Sequence, residues 1–149
     1  MATDDPRERA EQRTLLLPRR DQGSELPRGT RLQEFVVERV LGVGGYSIVY
    51  LARDTRLDRR VALKEYLPGT LAMRAPDGTV VPRLPRFQDF YDRGLASFLN
   101  EARLLGAFDH PALLKVFRFW QERGTAYMVM PYYEGVTLKR WLADLGAPP

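Results

Sequence analysis

Cysteine is missing from this sequence of 149 residues, and histidine occurs once, as His110. The first absence excludes a disulfide framework, a thiolate metal site and a cysteine nucleophile. The second excludes a histidine-rich metal cluster. No carboxylate pair has the spacing of a metal-binding loop, so any metal has to arrive with a ligand. Long hydrophobic runs are also lacking. The longest largely apolar stretch, Ala126 to Tyr133, is too short to span a bilayer, and the N-terminus has no charged-then-apolar signal layout. A cytoplasmic segment without a membrane partner is expected. Neither sign of charge dominates: 23 Lys and Arg stand against 19 Asp and Glu, and the net +4 is scattered along the chain. Such a balance is poor ground for a nucleic-acid partner, and none is expected.

What is present divides unevenly. Residues 1–30 alternate acids and arginines with Pro6, Pro18, Pro27, Gly23 and Gly29. That composition has little apolar surface to offset ordering entropy, so it reads as a disordered charged tail. Its one apolar knot, Leu15-Leu16-Leu17, reads as a sticky spot in that tail, with a docking peptide or a membrane-touching patch as the sharper alternative. From Phe35 onward short β-rich runs follow: Phe35 to Leu41, Ile48 to Ala52 and Arg60 to Glu65, linked by turns as in an antiparallel meander. A proline-rich insertion over 66–87 holds the turn Pro76-Asp77-Gly78-Thr79 and predicts a small hairpin. Tyr91, Leu95, Phe98, Ala102 and Leu105 recur at helical spacing and predict one long helix over 88–108, ended by His110-Pro111. Two further strands fit Leu113 to Trp120 and Ala126 to Met130, and a short helix fits Thr137 to Leu145.

The stretch Leu41-Gly42-Val43-Gly44-Gly45-Tyr46-Ser47 is ambiguous by itself, because glycines serve turns and bulges more often than phosphates. A dinucleotide fingerprint needs a helix directly after it, and here Ile48-Val49-Tyr50-Leu51 is strand material. A P-loop needs Gly-Lys-Ser/Thr, which is absent. What survives is a glycine hairpin whose backbone folds over a phosphate, and a lysine must then approach from a neighbouring strand. Lys64 ends the apolar run Val61-Ala62-Leu63, 22 residues beyond Gly42. A lysine in that position also snorkels to solvent, so it decides nothing alone. Glu101 adds the third element. Lying between Phe98 and Leu105 on the helix, it is expected on or near the buried face, where a carboxylate needs a partner, and Lys64 is the natural one.

In that order, Leu41-Gly42-x-Gly44-Gly45-Tyr46-x-x-Val49-Tyr50, Val61-Ala62-Leu63-Lys64, Asn100-Glu101-Ala102-Arg103, His110-Pro111 and Tyr127-Met128-Val129-Met130 resemble the N-terminal lobe of a bacterial, eukaryotic-like (Hanks-type) serine/threonine protein kinase. The resemblance covers about residues 31–145. It implies an α+β fold, a five-stranded antiparallel sheet with one long helix and an accessory hairpin, over 31–133. Residues 134–149 would begin a second lobe and stop after a short helix.

The resemblance also implies a set of roles. Gly42, Val43, Gly44, Gly45, Tyr46 and Ser47 would form the loop over the phosphates of ATP, Lys64 would bind the α- and β-phosphates, and Glu101 would hold Lys64 in place. Leu41, Val49 and Ala62 would line the adenine slot, with Met130 at its back. The Pro131 carbonyl and the Tyr133 backbone would meet the adenine edge, and Thr137 the ribose. Mg2+ is implied through ATP alone.

Three departures stand out. Ser47 replaces the usual third loop glycine, where its hydroxyl would serve as a donor. The stretch from Lys64 to Glu101 is long, and its Arg74, Arg83 and Arg86 read as a solvated face rather than a regulatory one. His110 is expected to order a loop and has no catalytic role. Finally, no H-R-D, D-F-G or A-P-E occurs. The expected activity, transfer of the ATP γ-phosphate to protein serine or threonine, thus belongs to a complete protein and not to this fragment. The alternative is a non-catalytic interaction or nucleotide-sensing module of the same fold, with an apolar face open to self-association.

Overall fold

Strand follows strand through tight turns, and the turns explain why. In the computed structural model, which describes residues 24–107 and 115–133, β1 (Arg31–Leu32), β2 (Phe35–Val43), β3 (Ser47–Asp54) and β4 (Arg59–Tyr66) form consecutive antiparallel hairpins. At the β3–β4 turn, Asp54 Oδ1 accepts the amides of Arg56 and Leu57 at 2.9 and 3.1 Å, and Asp58 takes a left-handed φ of 50°. After the insertion come helix α1 (Gln88–Ala107), β7 (Arg118–Glu122) and β8 (Thr125–Pro131). The sheet order is β1-β2-β3-β4-β8-β7, so β8 slots in beside β4 and the β7–β8 hairpin closes the edge.

This sheet has six strands where five were expected. The extra one is the two-residue β1, which folds back on Phe35 and Val36. The expected tail over 1–30 is also too long by several residues, because Ser24 and Leu26 are buried in the core. One apolar residue and a backbone docked through polar contacts suffice there, which a composition reading does not register. The expectation for residues 1–23 lies outside the described residues, as do His110-Pro111 and the short helix over 137–145. Strand β7 starts later than the apolar run from Leu113, at Arg118, with Phe117 N–H donating to the Val129 carbonyl at 2.8 Å just before it.

The insertion does form a hairpin, β5 (Ala72–Arg74) with β6 (Val80–Pro82). Its turn is built by Gly78 at φ 91° and by the Asp77 carboxylate, which accepts the Thr79 amide at 2.9 Å. The hairpin is stapled to the sheet, since the Val80 amide donates to the Arg123 carbonyl at 2.8 Å. Helix α1 buries Tyr91, Phe98 and Ala102, the predicted stripe, against one face of the sheet. The opposite face is covered by the segment around Leu26 and by β5.

Candidate functional site

Strand alternation sorts β4 into two environments. Lys64 lies opposite Val49 on β3 and Met128 on β8, and Ala62 lies opposite Leu51 and Met130. Directly opposed residues share a face, as do residues two apart on a strand. Val49, Ala62, Lys64 and Met130, named from sequence, therefore stand together on the α1 face. Gly42 pairs with Val49, and a bulge between Val40 and Gly42 holds the buried Leu41 next to it.

The glycine loop is the turn that closes β2 onto β3. The Gly44 amide donates to the Ser47 carbonyl at 2.8 Å, and the Leu67 amide donates to the Tyr46 carbonyl at 2.7 Å, tying the loop base to the end of β4. Val43, Gly44, Gly45 and Tyr46 are exposed at the tip. Ser47, by contrast, is buried at the foot of the hairpin as the first residue of β3. A Cβ on Gly45 would meet nothing within 4 Å, and one on Gly44 would come no nearer than 3.8 Å, to the Ser47 carbonyl. Neither glycine takes a left-handed backbone. The fold of the chain therefore does not itself require glycine at these two positions.

Lys64 is buried, 7% exposed, with Nζ 6.0 Å from the centre of the Phe98 ring. Burial pushes its pKa below the ordinary lysine value, and the Glu101 charge pulls the other way. Glu101 is exposed, near the buried face rather than on it, which narrows the sequence reading. One position ahead of the buried Ala102 is a rotation of about 100°, enough to bring its carboxylate out at the rim of the stripe. From that rim its charge still reaches Lys64. Pro131 pairs with Val61 at the end of β8, Tyr133 is exposed beyond it, and Thr137 lies outside the described residues.

Sequence reasoning missed the charge next door. Glu65 points to the opposite face and is completely buried. It accepts Tyr50 Oη at 2.9 Å, Tyr127 Oη at 2.6 Å and Arg74 Nη2 at 2.5 Å. Arg74 also donates from Nε to the Ser24 carbonyl and from Nη1 to the Gly78 carbonyl, both at 2.9 Å, while the Leu26 amide donates to Tyr50 Oη at 3.1 Å. Arg74 is thus not part of a solvated face. The available signal was adjacency: two neighbouring charges in an otherwise apolar strand must face opposite ways, and each then needs a partner. Burial, and next the Glu65 charge, push the Tyr50 and Tyr127 hydroxyls far above the usual tyrosine range.

Among the described residues no three His, Asp or Glu side chains group as metal ligands, and no helix is long and apolar enough to cross a membrane. An open groove lined by Arg53, Asp58, Arg59, Arg60 and Tyr132 sits at the far end of β4 from Lys64.

No family model matches the chain. Among curated proteins it is 33% identical over 114 residues to the serine/threonine-protein kinase PknD of Chlamydia pneumoniae, covering 76% of this chain and 10% of the relative. It is 32% identical over 113 residues to the serine/threonine-protein kinase PrkC of Bacillus subtilis, covering 75% and 14%. Among solved structures, PpkA-294 in its apo form matches with 48% identity and a TM-score of 0.74 over 81% of this chain and 43% of that one. The PknI kinase domain of Mycobacterium tuberculosis, at 21% identity and a TM-score of 0.52, shares the fold. The chain thus spans a tenth to a seventh of the curated relatives and less than half of each solved kinase domain. Its homologues are bacterial Hanks-type serine/threonine kinases, and its six-stranded sheet with helix α1 forms the N-terminal lobe of that fold.

Proposed function

We propose, from the premise that this chain carries a Hanks-type kinase N-terminal lobe, that it is the nucleotide-holding half of a protein serine/threonine kinase. The complete protein would transfer the γ-phosphate of Mg-ATP to hydroxyls of a protein substrate. The observation that carries the reading is the buried Lys64, set on one face with Val49, Ala62 and Met130 beside the Glu101 charge. A buried ammonium flanked by apolar side chains gives an anionic phosphate a charge-assisted contact in surroundings that screen it little.

The residues present fit that ligand. The loop tip, Val43 to Tyr46, is exposed, and the space a Cβ on Gly44 or Gly45 would fill is left clear, so a phosphate could approach the backbone closely there. Lys64 would neutralise the α- and β-phosphates, with Glu101 orienting it. Leu41, Val49, Ala62 and Met130 would form an apolar slot for adenine, whose edge would meet the Pro131 carbonyl and the Tyr133 backbone. Thr137 would meet the ribose. Catalysis in such a site is positioning and charge neutralisation. Magnesium would come with ATP, and its protein ligands and the catalytic base would be supplied outside the described residues.

The test is Lys64→Met in the full-length protein. Loss of autophosphorylation with the fold retained supports the reading. Unchanged phosphotransfer refutes it and favours a non-catalytic module.

A further inference from the structure

Glycine inside a helix costs backbone entropy relative to alanine, so a mid-helix glycine calls for a reason. At Gly94 the reason is Tyr66. A Cβ on Gly94 would lie 2.1 Å from Tyr66 Oη and 2.9 Å from its Cζ. Tyr66 ends β4, two residues past Lys64 and therefore on the same face. Its hydroxyl donates to the Tyr91 carbonyl at 2.9 Å, and its ring packs on Tyr91 at 5.2 Å and Phe98 at 5.8 Å between centroids. From beneath, Thr125 Oγ1 donates to the Tyr66 carbonyl, which ties the strand end to β8. Tyr91 in turn donates its hydroxyl to the Gly124 carbonyl in the β7–β8 turn. The first half of α1 is therefore pinned to the sheet from two sides.

We propose that Tyr66 and Gly94 are positioning residues. The missing side chain at Gly94 lets Tyr66 seat against the helix, and that seat sets the angle at which α1 presents Glu101 to Lys64. Glu101 lies seven residues on, about two turns along the same helix, so a tilt at Gly94 is carried to it. Phe98, between the two points, touches both Tyr66 and the Lys64 ammonium. The inference rests on the reading of Lys64 and Glu101 as the phosphate-site pair.

Gly94→Ala, Tyr66→Phe, their combination and Glu101→Gln in the full-length protein test it by steady-state kinetics, with amide hydrogen exchange of α1 in parallel. Gly94→Ala is expected to speed exchange over 95–107 and to lower kcat about tenfold, with KM for ATP changed less than about threefold. Adding Tyr66→Phe, which removes the oxygen nearest the new methyl, should restore part of kcat. Glu101→Gln should cost about tenfold alone and less than about threefold on top of Gly94→Ala, because both act through one contact. Slower exchange in Gly94→Ala, as expected of an unhindered helix substitution, overturns the contact. Faster exchange with unchanged kcat, or fully additive losses with Glu101→Gln, overturns the positioning role. If Gly94→Ala does not fold, unaltered kcat in Tyr66→Phe overturns it instead. If the wild type shows no phosphotransfer, the kinase reading and the positioning role fail together, and exchange still decides the contact.

Discussion

Arg74 Nη2 lies 2.5 Å from Glu65 Oε1, and this pair joins the insertion hairpin to the strand that carries Lys64. Their side chains are 6% and 0% exposed. Two charges taken out of water cost several kcal/mol each, which their attraction and the added tyrosine hydrogen bonds offset. Removing one partner leaves the other stranded. Arg74→Met is expected to destabilise the fold by about 3–5 kcal/mol, and Arg74→Met with Glu65→Met by much less. Urea unfolding of both variants checks this, and equal losses in the two contradict it.

Lys64 gives the opposite expectation. Its pKa is depressed by burial against the pull of Glu101, so its charged form is held less well in the folded than in the unfolded chain. Lys64→Met should leave stability unchanged or raise it by about 1 kcal/mol, while abolishing phosphotransfer in the full-length protein. A thermal melt alongside the activity assay separates these two effects.

The loop glycines separate function from fold in another way. A Cβ at Gly45 meets nothing and its φ is not left-handed, so Gly45→Ala should be neutral or stabilising by ~0.4–1 kcal/mol through the unfolded chain. Nucleotide affinity should fall several-fold, as a competition assay against a fluorescent ATP analogue would show. Unchanged affinity removes Gly45 from the phosphate site.

Alkaline pH acts on the buried tyrosines. Tyr50, Tyr66, Tyr91 and Tyr127 are all pushed above the ordinary value of 10.0, each chiefly by burial. The folded state keeps these protons while the unfolded chain loses them near that value, so the stability involved is intact below pH 10 and declines above it. Lys64 runs the other way: below its ordinary 10.5 the unfolded chain binds the extra proton, so stability rises with pH up to there. Four tyrosines outweigh one lysine above pH 10. Denaturant midpoints should fall steeply there, and less steeply in Tyr127→Phe.

How much of this was legible in the sequence depends on whether the deciding signal was local. The glycine hairpin, β4 and the α1 stripe follow from residue order, because period and turn chemistry are properties of neighbours. Val49, Ala62 and Met130 were named beside Lys64 through the family resemblance, and the pairing of β3, β4 and β8 sets all four on one face because alternation carries across a paired sheet. Glu101, expected on or near the buried face, lies exposed at the rim of the stripe, because a stripe boundary is set by the partner surface. Adjacency to Lys64 showed that Glu65 needs a partner, but neither that partner, Arg74, nor the Tyr66–Gly94 contact was legible. Both join segments at sequence distances of 9 and 28, through side chains whose meeting depends on how the insertion and the helix pack.

The most direct measurement is the amide NMR spectrum of this chain titrated with Mg-ATP. The account predicts shifts concentrated at 42–47, Val49, Ala62, Lys64 and Met130, absent in Lys64→Met. Shifts confined to the groove at Arg53, Arg59, Arg60 and Tyr132, or shifts identical in Lys64→Met, would contradict it.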